Sequence, residues 1–468
     1  MVAARVLSGV RSSHASIGQV RRLRSVPGVG GELVDVETPA GVFTARREGG
    51  LVRATGIRYA RAERFRAPVP EPVHEQPVDT THLSPACPQN PTPLLDELLV
   101  DATAGLTVDE DCLRLSVTAP ADAVAAPVMV FLHGGSYRAG AGDAPVFDPR
   151  ALVREQGVVV VAVTYRLGLL GYLGDGGARA ANLGLLDQIE ALRWVQRAIS
   201  GFGGDPGNVT LFGHSAGGDA VAHLMVADGA RGLFRRAIVQ SAPLGISRGR
   251  ARMSAAMDAA AGDLDAETPL DDVLATEARV EAAATPFGLL GAMPFGVRYG
   301  HAPLPAEQDL DAAWAAVAPH VDLLIGSTAR EVALFVPGLT GLPARLLSAP
   351  LLGRVLTRAA VAVLSWRVYG EAARSTARRH AAAGGRASTY RLEWGPPGPY
   401  RGAHCVDLPL LFTDAAAWRD APLIAGADWA DVEARGRQLR RVWSEFARTG
   451  LVPQVDEPGF LGTRRVRR

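Results

Sequence analysis

Apolar runs of strand length, alternating with helical stretches, restrict this chain more than any other feature. Five stand before residue 241: Leu113 to Val117, Val128 to Leu132, Val158 to Val163, Val209 to Phe212 and Ala237 to Gln240. Helical patterns fall between several of them, at Leu185 to Ile199 and Ala216 to Ala227. Strands apolar on both sides belong in a sheet covered on both faces, so the alternation predicts a mostly parallel sheet flanked by helices. Glu32 to about Ala60 reads as short β segments with glycine turns, and residues 74–93 as a proline-rich loop. Strands return at Val321 to Ile325 and Ser388 to Trp394, and long helices fit Leu351 to Ala383 and Asp431 to Arg448. Between about 249 and 320 the chain is Ala-rich and reads as a helical insertion over the sheet. No linker divides the chain. Residues 32–468 are therefore predicted to be a single domain, and residues 1–31 a basic, disordered tail.

Composition excludes several chemistries. The 468 residues are 48% hydrophobic, which supports a sizeable core. A net charge of +1 gives no bulk attraction to nucleic acid, and no apolar run reaches the ~18 residues of a membrane span. All 49 basic residues are Arg. A Ser–Lys dyad, a Schiff-base lysine and a P-loop lysine are thus ruled out, which points to histidine as the base of an activated serine. The first 31 residues lack the apolar core of a secretory signal, which points to the cytoplasm. Cys87, Cys112 and Cys405 have no metal-ligand spacing. Nothing in the sequence sets the oligomeric state.

Two G-x-S-x-G patterns occur, around Ser215 in "GHSAGG" and Ser247 in "GISRG". Ser215 directly follows an apolar strand and opens a helix of small residues, the setting that lifts a serine oxygen out as a nucleophile. Ser247 follows Pro243 among arginines and reads as surface loop. His214 is adjacent to Ser215 and is expected to turn its side chain away. His223 lies eight residues along the helix, ~12 Å from the serine at 1.5 Å per residue, and is too far. Upstream, "VFLHGGSYRAG" ends a strand in His133-Gly134-Gly135-Ser136, a glycine turn able to aim backbone N–H groups into a cleft. Downstream, Glu331 follows an apolar strand and His404 precedes an apolar helix, in the order serine, acid, histidine.

These stretches resemble the type-B carboxylesterase family of α/β-hydrolases, the relatives of cholinesterases and bacterial para-nitrobenzyl esterases. The resemblance extends through "GIRYA" with "RFRAP" (56–68), "EDCLRLSV" (110–117) and "VTYRLGLLGYL" (163–173). It is most specific over 182–218, and continues in "AIVQSA" (237–242), "RASTYRLEW" (386–394) and "RVWSEFARTG" (441–450). It implies an α/β-hydrolase fold, the 249–320 insertion lying over the active site, and a serine esterase acting on a small-molecule ester without metal or cofactor. Acyl transfer, amide or carbamate hydrolysis, and a non-catalytic binding role on the same scaffold are the alternatives. It implies Ser215 as nucleophile, Glu331 as acid, His404 as base, and an oxyanion hole from Gly135, Ser136 and Ala216. It also pairs Cys87 with Cys112 as a disulfide, against two free thiols in a reducing compartment. Three departures stand out. Val332 follows the acid where the family usually has Gly, Thr328 stands where Asn is common, and Ser136 replaces a third Gly or Ala. No aromatic residue lies between Cys87 and Cys112, which argues against a choline ester.

Overall fold

The computed structural model describes residues 21–22, 31–99, 103–174, 176–338 and 352–467. Its centre is a mixed sheet of fourteen strands. The longer ones are β1 (Glu32–Thr38), β2 (Gly41–Glu48), β3 (Leu51–Arg58), β4 (Arg114–Pro120), β5 (Ala126–Leu132) and β6 (Val159–Val163). They continue as β7 (Gly204–His214), β8 (Arg236–Gln240), β9 (Asp322–Thr328), β10 (Ala387–Leu392) and β11 (Leu461–Arg465). The spatial order of these strands is β1-β2-β3-β4-β6-β5-β7-β8-β9-β10-β11. From β6 to β10 every neighbouring pair is parallel. The flanks on both sides are antiparallel.

The predicted runs overlap these strands, differing at their ends, because their residues are buried on both faces. All five residues of β6 and all five of β8 are buried. β11 was not foreseen: its sequence, Leu461-Gly462-Thr463-Arg464-Arg465, alternates too briefly to announce a strand, and it forms by pairing with β10 at the sheet edge. The expected disordered tail lies outside the described residues, apart from Arg21–Arg22, whose backbone pairs with Asp35 and Val34.

Helices α1 (Leu183–Ala198) and α2 (Ala216–Leu224) follow the sequence reading closely. The 249–320 segment carries the helices α3 (Ala251–Ala261), α4 (Leu270–Ala284) and α5 (Leu310–Val317), joined by short 3-10 turns and loops, and no strand among its described residues. The single helix expected over Leu351 to Ala383 is α6 (Leu352–Ser365) and α7 (Glu371–Ala382), joined by a π-helical turn at Trp366–Gly370. At that break the Ser365 hydroxyl accepts a hydrogen bond from the Val332 N–H at 3.0 Å, which ties the helix to the loop after β9. α8 (Trp429–Thr449) is amphipathic, is capped by Asp428 and ends at Gly450 in the left-handed region. No helix among the described residues is long and apolar enough to cross a membrane.

Candidate active site

Ser215 stands between β7 and α2 at φ +58°, ψ −123°. That is a strained conformation for a residue with a Cβ, and it persists only where the surroundings over-determine it. The glycines supply the room. A Cβ on Gly217 would overlap the Leu132 carbonyl oxygen, and one on Gly213 would overlap the Gly217 backbone. Helix α2 therefore lies directly against the ends of β5 and β7. The Ser215 N–H donates to Gln240 O and the Asp219 N–H to Ser215 O, both at 2.9 Å, so the turn is held from both sides. Ala216 is the first residue of α2, and its N–H is one of those that a helix start leaves without an intrahelical acceptor.

The loop after β5 lies across this turn. Gly135, Ser136 and Tyr137 take φ values of +112°, +57° and +60°. A Cβ on Gly135 would overlap the Ala139 carbonyl, so only glycine fits there. The Gly135 carbonyl turns back to accept from Arg138 N and Ala139 N at 3.0 Å. Gln89 clamps the loop's far end, accepting from Gly140 N at 2.7 Å and donating to Gly140 O at 3.1 Å. His133 is fully buried and stacked on Tyr165 at 4.4 Å, and burial holds its imidazole down at about 4. It is a neutral structural histidine across the physiological range. Among the described residues, the N–H groups of Gly135 and Ser136 meet no protein acceptor.

Glu331 is fully buried just past β9. One carboxylate oxygen accepts from Thr328 N at 2.6 Å and the other meets His404 Nδ1 at 2.5 Å, while His404 N donates to Glu331 O at 3.2 Å. The structure accounts for the two departures near the acid. Glu331 opens a 3-10 turn (Glu331–Gly338) in which Val332 needs no positive φ, and Thr328 uses its backbone, not its side chain, to orient the carboxylate. Asp322 sits at the opposite end of β9 from Glu331 and pairs with Arg386 at 2.6 Å.

Ser215, His404, Gly134, Gly135 and Ser136 all line one cavity of about 280 Å³. Its walls are mainly apolar, with Leu95, Leu99, Val108, Phe147, Phe335 and Leu408. The lining carboxylate of Asp96 is occupied by Thr92, at 2.7 Å from the backbone N–H and 3.0 Å from the hydroxyl. α4 reaches the rim of this region: Arg138 pairs with Glu281 at 2.7 Å, and Asn90 donates to Leu274 O at 2.9 Å.

Two sequence expectations need correction. His214 does not turn away. It lines the same cavity, its ring centroid is 4.6 Å from that of His404, and its Nε2 is 3.4 Å from Asp407 Oδ1. His214 is the last residue of β7 and its ring lies on the cavity side beside His404, which adjacency to Ser215 in sequence does not show. Ser247 is not a surface residue but is only 4% exposed, donating to Asp219 Oδ1 at 2.5 Å. The turn at Pro243 folds it back because the buried Asp219 needs donors.

Asp407, three residues past His404, escaped the sequence reading. It is buried, accepts from Gln240 at 3.0 Å and faces both His214 and His404; burial alone would raise its carboxyl, but these partners hold it below the usual range. A buried acid between apolar residues was the signal available. His214, His404 and Cys405 bring metal-ligand atoms within 4.8 Å of one another. Burial, together with Asp407 and Glu331, pushes the Cys405 thiol well above its ordinary value, which keeps it protonated and a poor ligand. Cys87 and Cys112 are buried as adjacent free thiols.

Comparison with known proteins gives the same direction. The carboxylesterase family model matches residues 45–342. A "Probable N-octanoylanthranilate hydrolase" of Rhodococcus erythropolis is 39% identical over 89% of this chain and 93% of its own length. The para-nitrobenzyl esterase of Bacillus subtilis is 34% identical over 89% of this chain and 90% of its own. A thermophilic para-nitrobenzyl esterase structure superposes with a TM-score of 0.75 at 29% identity, covering 92% of this chain and 97% of that one. With its strained serine turn, glycine loop and buried acid–histidine pair opening on one cavity, this chain belongs to the carboxylesterase family and is a carboxylic ester hydrolase of α/β-hydrolase fold.

Proposed function

We propose that Ser215, His404 and Glu331 carry the reaction and that Gly135, Ser136 and Ala216 receive the oxyanion. The observation that carries this reading is convergence. Three segments distant in sequence deliver a strained serine, a histidine fixed by a buried carboxylate, and free backbone donors to one cavity wall.

Each part has a chemical task. Glu331 fixes His404 through Nδ1, leaving Nε2 to take the Ser215 proton as Oγ attacks the ester carbonyl. The loop and helix donors stabilise the charge that develops on the carbonyl oxygen. His404 then protonates the departing alcohol, and a water molecule deacylates the serine by the same route in reverse. Residues 249–320 form an insertion at the rim of this site, within the single domain spanning 32–468.

The substrate is an uncharged ester with an apolar acyl group. The described lining holds no Arg, its acid is already paired with Thr92, and its walls are aliphatic and aromatic. A second reading, hydrolysis of an N-acyl arylamide, is favoured by the R. erythropolis relative, whose name describes that chemistry. The free thiols of Cys87 and Cys112 suit the reducing cytoplasm.

A fluorophosphonate probe tests the assignment. It reacts with a serine only where a base activates it and a hole receives the phosphoryl oxygen. Labelling is expected at one site per chain, on the "GHSAGG" peptide, and is expected to vanish in Ser215→Ala and His404→Ala. Folded wild-type protein that takes up no label, or label on another serine, refutes it. Ester and arylamide panels of graded acyl length then separate the two substrate readings.

A further inference from the structure

Helix α2 carries a buried carboxylate for which the reaction as proposed has no use. Asp219 is 1% exposed and lies one turn beyond Ser215. The Tyr137 hydroxyl donates to its Oδ2 at 2.7 Å and the Ser247 hydroxyl to its Oδ1 at 2.5 Å. His223 Nδ1 is 3.3 Å from Oδ2, and His223 Nε2 meets the Tyr299 hydroxyl at 2.8 Å. Burial alone would raise the Asp219 carboxyl, but His223, Ser247 and Tyr137 together hold it below the usual carboxylate range. The group is an anion in the core, on a helix whose other side chains, apart from His223, are small or apolar.

A buried anion is costly, and apolar residues would fill the same space at lower cost. Its partners indicate what it does. Tyr137 directly follows the two loop residues whose N–H groups are free, and it is the second successive non-glycine residue at positive φ. Such a conformation needs restraint from outside the loop. The Tyr137 carbonyl is held by the Gly168 N–H at 2.7 Å, and its ring packs against Tyr172 at 4.2 Å. Its hydroxyl is the tie that runs to α2. The loop supplies the donors of Gly135 and Ser136 while α2 supplies that of Ala216, so the oxyanion hole is split between two elements. Donors of this kind act by standing in place before charge develops, and a shift well under 1 Å weakens them.

We infer that Asp219 is a positioning residue for the oxyanion hole, fixing the Gly135–Ser136 loop against the head of α2 through Tyr137. The inference rests on the esterase reading above. Asp219 touches no reacting atom and acts only through the loop.

Tyr137→Phe is the decisive variant, because it removes one hydroxyl and leaves Asp219 its other donors. For a para-nitrophenyl ester, kcat is expected to fall roughly 10- to 100-fold with KM changed less than about threefold. The inhibition constant of an aryl trifluoromethyl ketone, whose hemiketal oxyanion occupies the hole, is expected to rise by the same factor. Asp219→Asn keeps an acceptor oxygen for Tyr137 and is expected to retain most activity, while Asp219→Ala loses at least as much as Tyr137→Phe. Wild-type kcat and ketone affinity in Tyr137→Phe, with wild-type labelling intact, overturn this inference alone. So does a loss that falls equally on KM and on the labelled fraction, since that marks general disorder. A wild-type chain that takes up no fluorophosphonate overturns the esterase reading, and this one with it.

Discussion

Glu277, on α4, is 3% exposed and has an oxygen without a hydrogen-bond partner. Burial raises its carboxyl from 4.5 to about 7, against the pull of Arg138 and with Glu281 adding to it. The acid is therefore protonated in the folded protein at pH values where it is ionised in the unfolded chain. The sign follows from linkage. Between pH 4.5 and 7 the native state binds the extra proton, so this group makes stability fall as pH rises through that window. The rise from 4.5 to about 7, at ~1.4 kcal/mol for each factor of ten in proton affinity, sets a ceiling of about 3 kcal/mol. Glu277→Gln keeps the shape and removes the ionisation. The variant is expected to match wild type near pH 4.5 and to exceed it by up to about 3 kcal/mol at pH 8. For a chain of 468 residues that is roughly 3 °C in melting temperature. The wild-type profile alone would mislead, because His133, held down to about 4, has the opposite slope and loses stability as pH falls from 6.5. The difference between variant and wild type cancels that term. Thermal melts at half-unit steps from pH 4.5 to 8 read it, and two parallel curves would refute the reasoning.

Two further outcomes follow from the geometry. Glu331→Gln leaves the fold intact and lowers kcat by roughly 10² to 10⁴ in steady-state ester hydrolysis, as expected of an acid that orients and stabilises the base; near-wild-type turnover moves the acid elsewhere. Gly217→Ala forces a methyl group into the Leu132 carbonyl and costs roughly 3 kcal/mol or more, read as a lowered melting point together with slower fluorophosphonate labelling.

The sequence determined the frame. Runs such as Val128 to Leu132 and Val158 to Val163 are apolar on both faces, and burial on both faces leaves them little choice but central strands in a covered sheet. The glycines around Ser215 and at Gly135 were legible because their roles are local: a close backbone approach or a positive φ that a Cβ would forbid. Serine, acid and histidine could be ordered because each follows or precedes its own apolar element. Tertiary structure decided what depends on where side chains point and which buried polar groups must find partners. Glu331 was already legible from its place in the order serine, acid, histidine, whereas only the fold shows that Asp322 lies at the opposite end of β9, paired with Arg386. His214 faces into the cavity from the end of β7, and local sequence pattern does not report that direction. Ser247, Asp407 and Asp219 were read as surface residues or passed over because a polar side chain is exposed by default. Each is buried by a partner 28 to 167 residues away, since a charge or hydroxyl in the core is tolerated only where a donor or acceptor from another segment meets it.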